Sequence, residues 1–302
     1  MTATLERLQI TEPGVYDIPA EAYHADPVPG GSLSSSGARL LMPPSCPAIF
    51  KHRMDNPEPY VKEFALGSAA HKLVLGAGDE FAVIDAADWR TKAARQEREE
   101  AQAAGLIPLL QHQFDQVEAM AQALREHPTA SALFDSARGG RPEQALFWRD
   151  KLTGITRRAL LDWLPAKVPG RRMILADYKT AASAEPTAIA KAVYNHGYHQ
   201  QAAWYIDGVV ELGLDEDPAF VFVFQEKEPP YLVTVIELDR VSLMWGDVLN
   251  RAALARYRHC VETGRWPGYA DDVQLVSLPV WAQREYEAAE SRGDYNPGGI
   301  TR

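Results

Sequence analysis

Two aspartates and a lysine stand in two consecutive apolar segments in the middle of the chain. Asp177 and Lys179 close the segment MILADYKT, and Asp162 lies in the preceding segment RALLDWL. Residues two apart on a β-strand share a face, so the Asp177 carboxylate and the Lys179 ammonium should point the same way. The segment PAKVPGRR is short and turn-rich, which predicts that the two strands pair and bring both aspartates together.

Adjacent carboxylates of this kind are suited to bind a cation. Two carboxylates side by side repel each other, and the pKa of one rises unless a cation lies between them. Mg²⁺ prefers hard oxygen ligands and is the expected ion, with Mn²⁺ as a substitute. A bound divalent ion polarises a phosphate oxygen and lowers the pKa of its water, which is the chemistry of phosphodiester hydrolysis. Lys179 can position that water or neutralise charge on the phosphorus.

An Asp-x-Lys sequence alone is more often a surface ion pair at a strand end than a catalytic site, so its companions matter. His71 ends the small-residue segment GSAAH, where another backbone can approach closely, and Glu143 precedes the first strand of the central region. Gln201 and Tyr205 are spaced i, i+4 and share a helical face. Each has a simple structural explanation by itself, and their joint order along the chain is what indicates a site.

The bulk composition is that of an ordinary soluble globular protein, with 302 residues, 46% of them apolar and 24% charged. No run approaches the roughly 18 apolar residues that span a bilayer, and no secretory signal is evident, so a cytoplasmic protein with no membrane contact is expected. Cys46 and Cys260 lie far apart and should be buried, which argues against a disulfide framework or a cysteine metal site. The net charge of −10 argues against general coating of nucleic acid but allows a local positive channel.

The middle and end of the chain predict a mixed α/β sheet with flanking helices. Three strands are expected at ALFWR, GITRRALLDWL and RRMILADYKT, followed by helices over 186–195 and 198–213 and by strands at PAFVFVF and YLVTVIEL. A long closing helix should bury one face, which consists of Val241, Met244, Trp245, Val248, Leu249 and Ala252.

The first half of the chain predicts mostly helices. The segment GVYDIPAEAYHADPVPGG should be irregular because of its Pro and Gly content, and SLSSSGARLL should begin a helix at its serines. Further helices are expected over 64–76, over the charged segment 90–104 (with a mobile flap as the alternative there), and along an apolar stripe from Leu110 to Leu124. No linker is evident, so one domain over 13–288 is expected, with loose termini at 1–12 and 289–302.

The order Gly-x-x-x-His, Glu, Asp, Asp-x-Lys and Gln-x-x-x-Tyr resembles the nuclease domains of the RecB-like branch of the PD-(D/E)xK superfamily. More closely, the chain resembles the nuclease domain of exodeoxyribonuclease VIII and its phage and prophage relatives. The resemblance runs from GVYDIPAEAYHADP and SLSSSGARLL through GSAAHKL, DWL and DYKTA to YHQQAAWYIDG, FVFVF and RWPGY…SLPVWA. It implies an α/β fold with the PD-(D/E)xK nuclease core, in which a mixed central β-sheet is flanked by helices.

The resemblance also implies roles for individual residues. The metal ligands would be His71, Asp162, Asp177 and the main-chain carbonyl of Tyr178, with Lys179 as the catalytic lysine. Glu143 matches an additional acid near the metal, and Gln201 and Tyr205 match a helix pair that orients the DNA backbone and the lysine. Asp177 stands where many superfamily members have glutamate, although aspartate is usual in this branch.

Four residues are expected to contact DNA. Ser34 and Ser36 match the family's N-terminal serine motif, where hydroxyls at a helix start can bind a phosphate, although helix capping explains them equally well. The position two residues before Asp162 carries leucine where relatives often have a basic residue. Arg158 or Arg157 is therefore expected to have taken over a phosphate contact.

The resemblance implies a Mg²⁺-dependent exonuclease that degrades linear duplex DNA from its ends in the 5′→3′ direction. The 3′ strand would pass to a single-strand annealing protein in phage or prophage recombination, and the nuclease would assemble as a homo-oligomeric ring. Three alternatives stay open: an endonuclease on the same core, a catalytically inactive DNA-binding or assembly protein on a decayed nuclease fold, and a hydrolase of small phosphate esters. The complete set of site residues argues against decay.

Overall fold

A computed structural model describes residues 8–57, 66–77 and 80–295 of the chain. The chain divides into two compact units, Met1–Trp266 and Pro267–Arg302. All of the predicted site residues lie in the first unit. The predicted single domain over 13–288 extends across the boundary between the units and stays a prediction.

The strands of the described residues form two sheets. They are β1 Gly14–Tyr16, β2 Leu33–Ser34, β3 Phe81–Ile84, β4 Ile107–Leu110, β5 Arg141–Arg149, β6 Thr156–Leu164, β7 Ile174–Ala181, β8 Ala219–Glu226 and β9 Val233–Glu237. The large sheet has the order β1-β5-β6-β7-β8-β9, with β2 paired to β6, and β3 and β4 form a separate pair. Within the large sheet, β7–β8 and β2–β6 are parallel and the other pairs are antiparallel, so the predicted mixed sheet is confirmed.

Helices precede, interrupt and follow these strands. They are α1 Ala20–His24, α2 Ser35–Leu40, α3 Pro47–Asp55, α4 Leu66–Leu75, α5 Lys92–Ala103, α6 Gln111–Glu126, α7 Pro128–Leu133, α8 Pro186–His196, α9 Tyr198–Glu211, α10 Arg240–Thr263 and α11 Val280–Ser291. Gly197 separates α8 from α9 with a left-handed φ of 68°, which glycine adopts without strain. No described helix is both long enough and apolar enough to cross a membrane.

The large sheet is covered on both faces. Alternate residues of β8 belong to two different apolar clusters, because successive side chains of a strand point to opposite faces. Phe222 packs in a cluster with residues of α9 and α10, such as Trp204 and Leu254, whereas Val223 packs in a cluster with residues of α4 and α6. The unbroken apolar sequence of β8 is typical of a strand that is buried on both faces.

The sheet is forked beside β6. The β6–β7 ladder is restricted to one residue pair, Trp163 with Ala176. The first half of β6 pairs instead with β2, which runs parallel to it and ends at the pair Ser34 with Arg158. Asp162 therefore lies where β6 exchanges one neighbouring strand for another. Main-chain groups at such a fork lack ladder partners and need hydrogen bonds from side chains or solvent.

The first segment of the chain is more ordered than its Pro and Gly content predicts. It contains β1, which pairs with β5 at the edge of the sheet, and the short helix α1. Ile10 is buried and its N–H donates to the Pro27 carbonyl, so the leader expected to be loose is packed at this residue. Residues 1–7 lie outside the described residues. The hydrogen bonds that order this segment come from distant β5, which no local pattern reveals.

A small β-α-β unit before α6 was not expected from the sequence. The parallel strands β3 and β4 are joined by α5, which Thr91 caps by accepting a hydrogen bond from the Ala94 N–H. The helix predicted over 90–104 is therefore confirmed as α5, and the alternative of a mobile flap stays a prediction. Both strands have four residues, which is too short for an alternating pattern to stand out.

The face predicted to be buried on the closing helix is the exposed face of α10. Val241, Met244, Trp245 and Val248 are 58%, 51%, 55% and 46% exposed, while Gly246, Asn250, Ala253 and Leu254 are buried. The cause is the close approach of α10 to α9: a Cβ at Gly246 would lie 2.2 Å from the His199 carbonyl oxygen. Small residues therefore form the contact between these helices, and the larger apolar residues face outward.

The second unit contains an extended segment followed by α11. Val273 and Leu275 in the extended segment are almost fully exposed, whereas Ala282 and Ala289 of α11 are buried. The tail predicted to be loose over 289–302 begins inside α11, so its first residues are helical. Residues 296–302 lie outside the described residues.

Candidate active site

Three carboxylates lie in one row across the adjacent strands β5, β6 and β7. The pairs on either side of Glu143 keep a constant register with β6, so Glu143 faces Asp162. The single pair Trp163 with Ala176 places Asp162 opposite Asp177 in the same way. Glu143 lies inside β5, not before it as predicted, and its φ of 49° is unusual for a strand residue. The predicted meeting of the two aspartates follows from this register.

Asp162 is held by a main-chain donor and by a histidine. Its Oδ2 accepts a hydrogen bond of 2.7 Å from the Tyr178 N–H, which the fork leaves without a ladder partner. The same oxygen lies 3.1 Å from His71 Nε2. Burial alone would raise the pKa of Asp162, but the charge and hydrogen bond of His71 and the charge of Lys179 hold it below its ordinary value. Asp162 is therefore an anion at neutral pH.

Asp177 is the most deeply buried acid of the row, with only 1% of its surface exposed. Its Oδ1 accepts a hydrogen bond of 2.7 Å from Gln201 Nε2, and its Oδ2 lies 2.5 Å from Lys179 Nζ. Burial, together with the neighbouring charge of Asp162, raises the pKa of Asp177 to about 6. When two neighbouring carboxylates share one proton, the pKa of one rises and the pKa of the other falls. Asp177 and Asp162 show this pattern.

Lys179 points to the same side as Asp177, as predicted from their spacing, and its side chain is 21% exposed. Burial would lower the pKa of Lys179, but the charges of Asp177 and Asp162 outweigh it and raise the pKa above its ordinary value. Nζ also lies 5.3 Å from the ring centroid of Tyr198. Tyr198 is not among the predicted site residues, and its position directly after Gly197 at the start of a helix was the available signal.

His71 reaches the row from α4. Its Nδ1 lies 3.8 Å from Glu143 Oε1, while Nε2 faces Asp162. Burial would lower the pKa of His71, but the charges of Asp162, Glu143 and Asp177 raise it above its ordinary value. Gly67 explains how the helix comes so near: a Cβ there would lie 2.9 Å from Thr180 Oγ1 of β7. The small-residue segment therefore allows the close approach that the sequence predicted.

Gln201 and Tyr205 lie on the face of α9 that is turned toward the sheet. Gln201 contacts Asp177 directly, and Tyr205 is buried, with its ring edge-on to Phe220 and its hydroxyl hydrogen-bonded to Gln201. Burial raises the pKa of Tyr205 well above its ordinary value. Gln201 is therefore the residue of this helix pair that contacts Asp177, and Tyr205 contacts Gln201.

The four residues expected to contact DNA are all engaged with other protein groups. Ser34 Oγ accepts from the Gly37 N–H as the cap of α2 and lies 3.1 Å from Ser36 Oγ. Arg158 contacts Asp26 at 2.5 Å and also donates to Ser32, which fastens the first segment of the chain to β6.

Arg157 is 1% exposed, so its guanidinium is not available to a phosphate. It pairs with Asp207 and lies against the rings of Trp148 and Trp204, 4.7 Å and 3.9 Å from their centroids. The expectation that Arg157 takes over a DNA contact does not agree with this burial. The reason is the strand period, which turns Arg157 and Arg158 to opposite faces of β6.

The donor types around the acid row fit a divalent metal ion. Asp177 Oδ2 is buried, and it faces the Lys179 ammonium at 2.5 Å. A buried carboxylate oxygen that already faces one positive charge is suited to a metal cation. As the side chains are packed, with the Lys179 ammonium against that oxygen, no three His, Cys, Asp or Glu side chains of the described residues are arranged as a metal shell. An ion would therefore bind beside the Lys179 ammonium or displace it from Asp177 Oδ2.

A solved structure shares this fold at low sequence identity. The crystal structure of a candidate exonuclease from Eubacterium rectale has a TM-score of 0.55 at 15% identity, covering 89% of this chain and 94% of that chain. An alkaline exonuclease from Laribacter hongkongensis has a TM-score of 0.25 at 15% identity, covering 64% of this chain and 89% of its own, which is too low to support an argument. No curated protein sequence matches the chain.

Residues 41–279 match a family described as a PDDEXK-like domain of unknown function (DUF3799). The matched range contains the acid row, His71 and Lys179. The predicted α/β fold and the predicted resemblance to the PD-(D/E)xK nucleases are confirmed by this match. Because the matched residues make up most of the 302-residue chain, the protein belongs to this PDDEXK-like family.

Proposed function

We propose that the protein is a Mg²⁺-dependent deoxyribonuclease, and more specifically an exonuclease that degrades linear duplex DNA in the 5′→3′ direction. The observation that carries the proposal is the row of acids on three adjacent strands, flanked by His71 and Lys179. Buried, mutually repelling acids reduce stability, and strongly shifted pKa values of this kind cluster at functional sites. A row of oxygen ligands beside a lysine suits metal-assisted phosphodiester hydrolysis.

The residues that would hold the ion are His71, Asp162, Asp177 and the Tyr178 carbonyl. Their mostly oxygen donors suit Mg²⁺, and Mn²⁺ accepts the imidazole more readily. When bound, the ion supplies charge stabilisation at the phosphate and acidifies a water. Gln201 keeps the Asp177 carboxylate in one orientation through its hydrogen bond.

Glu143 acts on the site through His71. It faces Nδ1 of the imidazole, which favours the ring orientation that turns Nε2 toward Asp162. The separation of 3.8 Å is longer than a hydrogen bond, so Glu143 acts on the imidazole through its negative charge. Glu143 is therefore assigned to orienting His71.

Lys179 is the group that this chain offers to the reacting phosphate. Its Nζ is held by Asp177, yet its side chain keeps one exposed side. The raised pKa of Lys179 keeps the ammonium charged at neutral pH. It can then donate to a phosphate oxygen as negative charge develops there, or orient the attacking water.

The finer features of this proposal rest on the resemblance to exodeoxyribonuclease VIII. These are the 5′→3′ polarity, assembly as a homo-oligomeric ring around DNA, and transfer of the 3′ strand to a single-strand annealing protein in phage-type recombination. The naming of the Eubacterium rectale protein as a candidate exonuclease is in keeping with a DNA-end substrate.

The deciding experiment compares a 5′-end-labelled linear duplex with a covalently closed circular duplex, each with Mg²⁺, Mn²⁺ or EDTA. We expect either ion to support degradation of the linear duplex, with early release of the 5′ label, persistence of the 3′ strand and survival of the circle. Asp177→Asn, purified in the same way, controls for contaminating nucleases. Linearisation of circles by the wild type alone would replace the exonuclease with an endonuclease, and binding without cleavage would indicate an inactive DNA-binding protein.

A further inference from the structure

Tyr178, the residue between Asp177 and Lys179, contacts the site through its main chain and through its ring. Its main-chain N–H donates to Asp162 Oδ2 at 2.7 Å. Its ring lies beside the His71 imidazole, with 6.3 Å between centroids and an angle of 51° between planes. Asp162 and His71 are themselves 3.1 Å apart. The position of Tyr178 therefore affects both members of this pair.

The phenol of Tyr178 is anchored on its far side by a buried amide. Tyr178 Oη donates to Gln225 Oε1 at 2.6 Å, and Gln225 is completely buried. Gln225 Nε2 donates to the Met120 carbonyl at 2.8 Å and lies 3.3 Å from the Tyr231 carbonyl. Both ends of the amide are thus satisfied, and leaving either end unpaired in this buried place would be unfavourable.

Gln225 joins the two elements that place His71. Met120 belongs to α6, and α6 packs against α4, the helix that carries His71. Tyr178 belongs to β7, the strand that carries Asp177 and Lys179. A single side chain of β8 therefore ties the strand of the acid to the helices that support the histidine.

We infer that Gln225 is a positioning residue for the proposed metal site. Through the Tyr178 phenol and the Met120 carbonyl, it fixes the place of the His71 imidazole relative to Asp162. Partners of metal ligands that lie outside the ligand shell commonly change metal affinity by about 10–100-fold when they are removed. The inference rests on the proposed function, because its measurable consequence is the strength of metal binding.

The test uses the full chain and four variants. Gln225→Met removes all hydrogen bonds of the amide at similar volume. Tyr178→Phe removes the hydroxyl alone and is the milder change. The double variant replaces the polar pair by an apolar one. Leu254→Ala, a buried change in the other apolar cluster, is the control for general loss of stability.

Two readouts do not depend on catalysis. The first is the affinity for Mn²⁺, measured by electron paramagnetic resonance of the free ion. The second is the imidazole NMR spectrum of the metal-free protein, with the His71 signals assigned by His71→Ala. We expect each single variant to weaken Mn²⁺ binding about tenfold and to shift the His71 signals. The double variant should lose no more Mn²⁺ affinity than the single variant with the larger loss, because both changes break the same link. Leu254→Ala should lower the Tm and leave both readouts unchanged.

Unchanged His71 signals and unchanged Mn²⁺ affinity in Gln225→Met, with normal binding by the wild type, would overturn the inference and leave the proposed function intact. A loss of affinity no larger than that of Leu254→Ala would overturn it as well. If the wild type binds no Mn²⁺ at all, the proposed function itself fails, and the inference fails with it.

Discussion

The Asp162 carboxylate accepts the Tyr178 main-chain N–H at 2.7 Å, at the point where the β6–β7 ladder has ended. A side chain of the site thus supplies a hydrogen bond that a neighbouring strand would ordinarily supply. This couples the acid row to the fork in the sheet, because a one-residue slip of β7 along β6 would turn Asp177 to the opposite face. The site therefore forms only when Trp163 pairs with Ala176.

Replacement of Asp177 by Asn tests the acid row directly. The change removes a charged ligand while preserving shape, so cleavage should fall by several orders of magnitude while circular dichroism shows a retained fold. Mg²⁺ should raise the Tm of the wild type and not that of Asp177→Asn, since only the wild type offers the complete site. Asp217→Asn, at an exposed position, is the matched control. Mg²⁺-dependent cleavage by well-folded Asp177→Asn at the wild-type rate would show that Asp177 is not a metal ligand.

Replacement of Lys179 by Ala separates catalysis from DNA binding. Because the ammonium is already held by Asp177 in the free protein, we expect the cleavage rate to fall strongly while DNA affinity changes little. The salt dependence of binding should also stay unchanged, whereas loss of one phosphate contact would reduce its log–log slope by about 0.9. Binding and single-turnover cleavage are measured on the same linear duplex. Equal losses of rate and affinity would show that Lys179 binds phosphate without acting on the transition state.

Local sequence patterns were sufficient for the elements that carry the chemistry. The alternation in RALLDWL and the apolar run before DYK define β6 and β7, and the short turn between them predicts that Asp162 meets Asp177. The unbroken run in FVFVF likewise predicts a strand covered on both faces. In each case the period of a single element and a short connection determine the outcome.

Features that depend on distant contacts were not predictable in this way. The orientation of α10 is set by the contact of Gly246 with the His199 carbonyl, so the apolar stripe containing Trp245 is exposed although its spacing is typical of a buried face. The roles of Arg157 and Arg158 depend on which side of β6 each one faces and on partners more than 40 residues away. Gln225 carries no motif at all, and its part becomes visible only once β8 is placed beside β7.

Gly67→Ala tests whether close approach of α4 to β7 places His71. Alanine favours a helix over glycine by about 0.5–1 kcal/mol, but the new Cβ would lie 2.9 Å from Thr180 Oγ1, on a stiff β-branched side chain. The clash should dominate, with a net loss of stability within the range of about 1–3 kcal/mol and weaker Mn²⁺ binding. Adding Thr180→Ala removes the clashing atom and should restore both quantities. Denaturant unfolding and Mn²⁺ titration measure them. A double variant as impaired as Gly67→Ala alone would show that the approach is not limited by Thr180.

The pH dependence of metal binding tests His71, the ligand that comes from a helix. The pKa of His71 is raised in the metal-free protein, so the imidazole is protonated at and somewhat above its ordinary titration range, and it must lose that proton to bind an ion. Above the raised pKa, the Mg²⁺ concentration for half-maximal cleavage should be constant. Below it, one competing proton should raise that concentration about tenfold per pH unit.

A second proton enters on Asp177, whose pKa is about 6, so the dependence should steepen below that pH. Without metal the sign for His71 is reversed: its ion pairs stabilise the fold at low pH, and this contribution is lost as the pH rises through the raised pKa. His71→Ala should abolish the first step of the metal dependence and keep the second. His112→Ala, at an exposed position, should retain both. A pH profile of the metal requirement that is identical in His71→Ala and the wild type would leave His71 a structural helix residue.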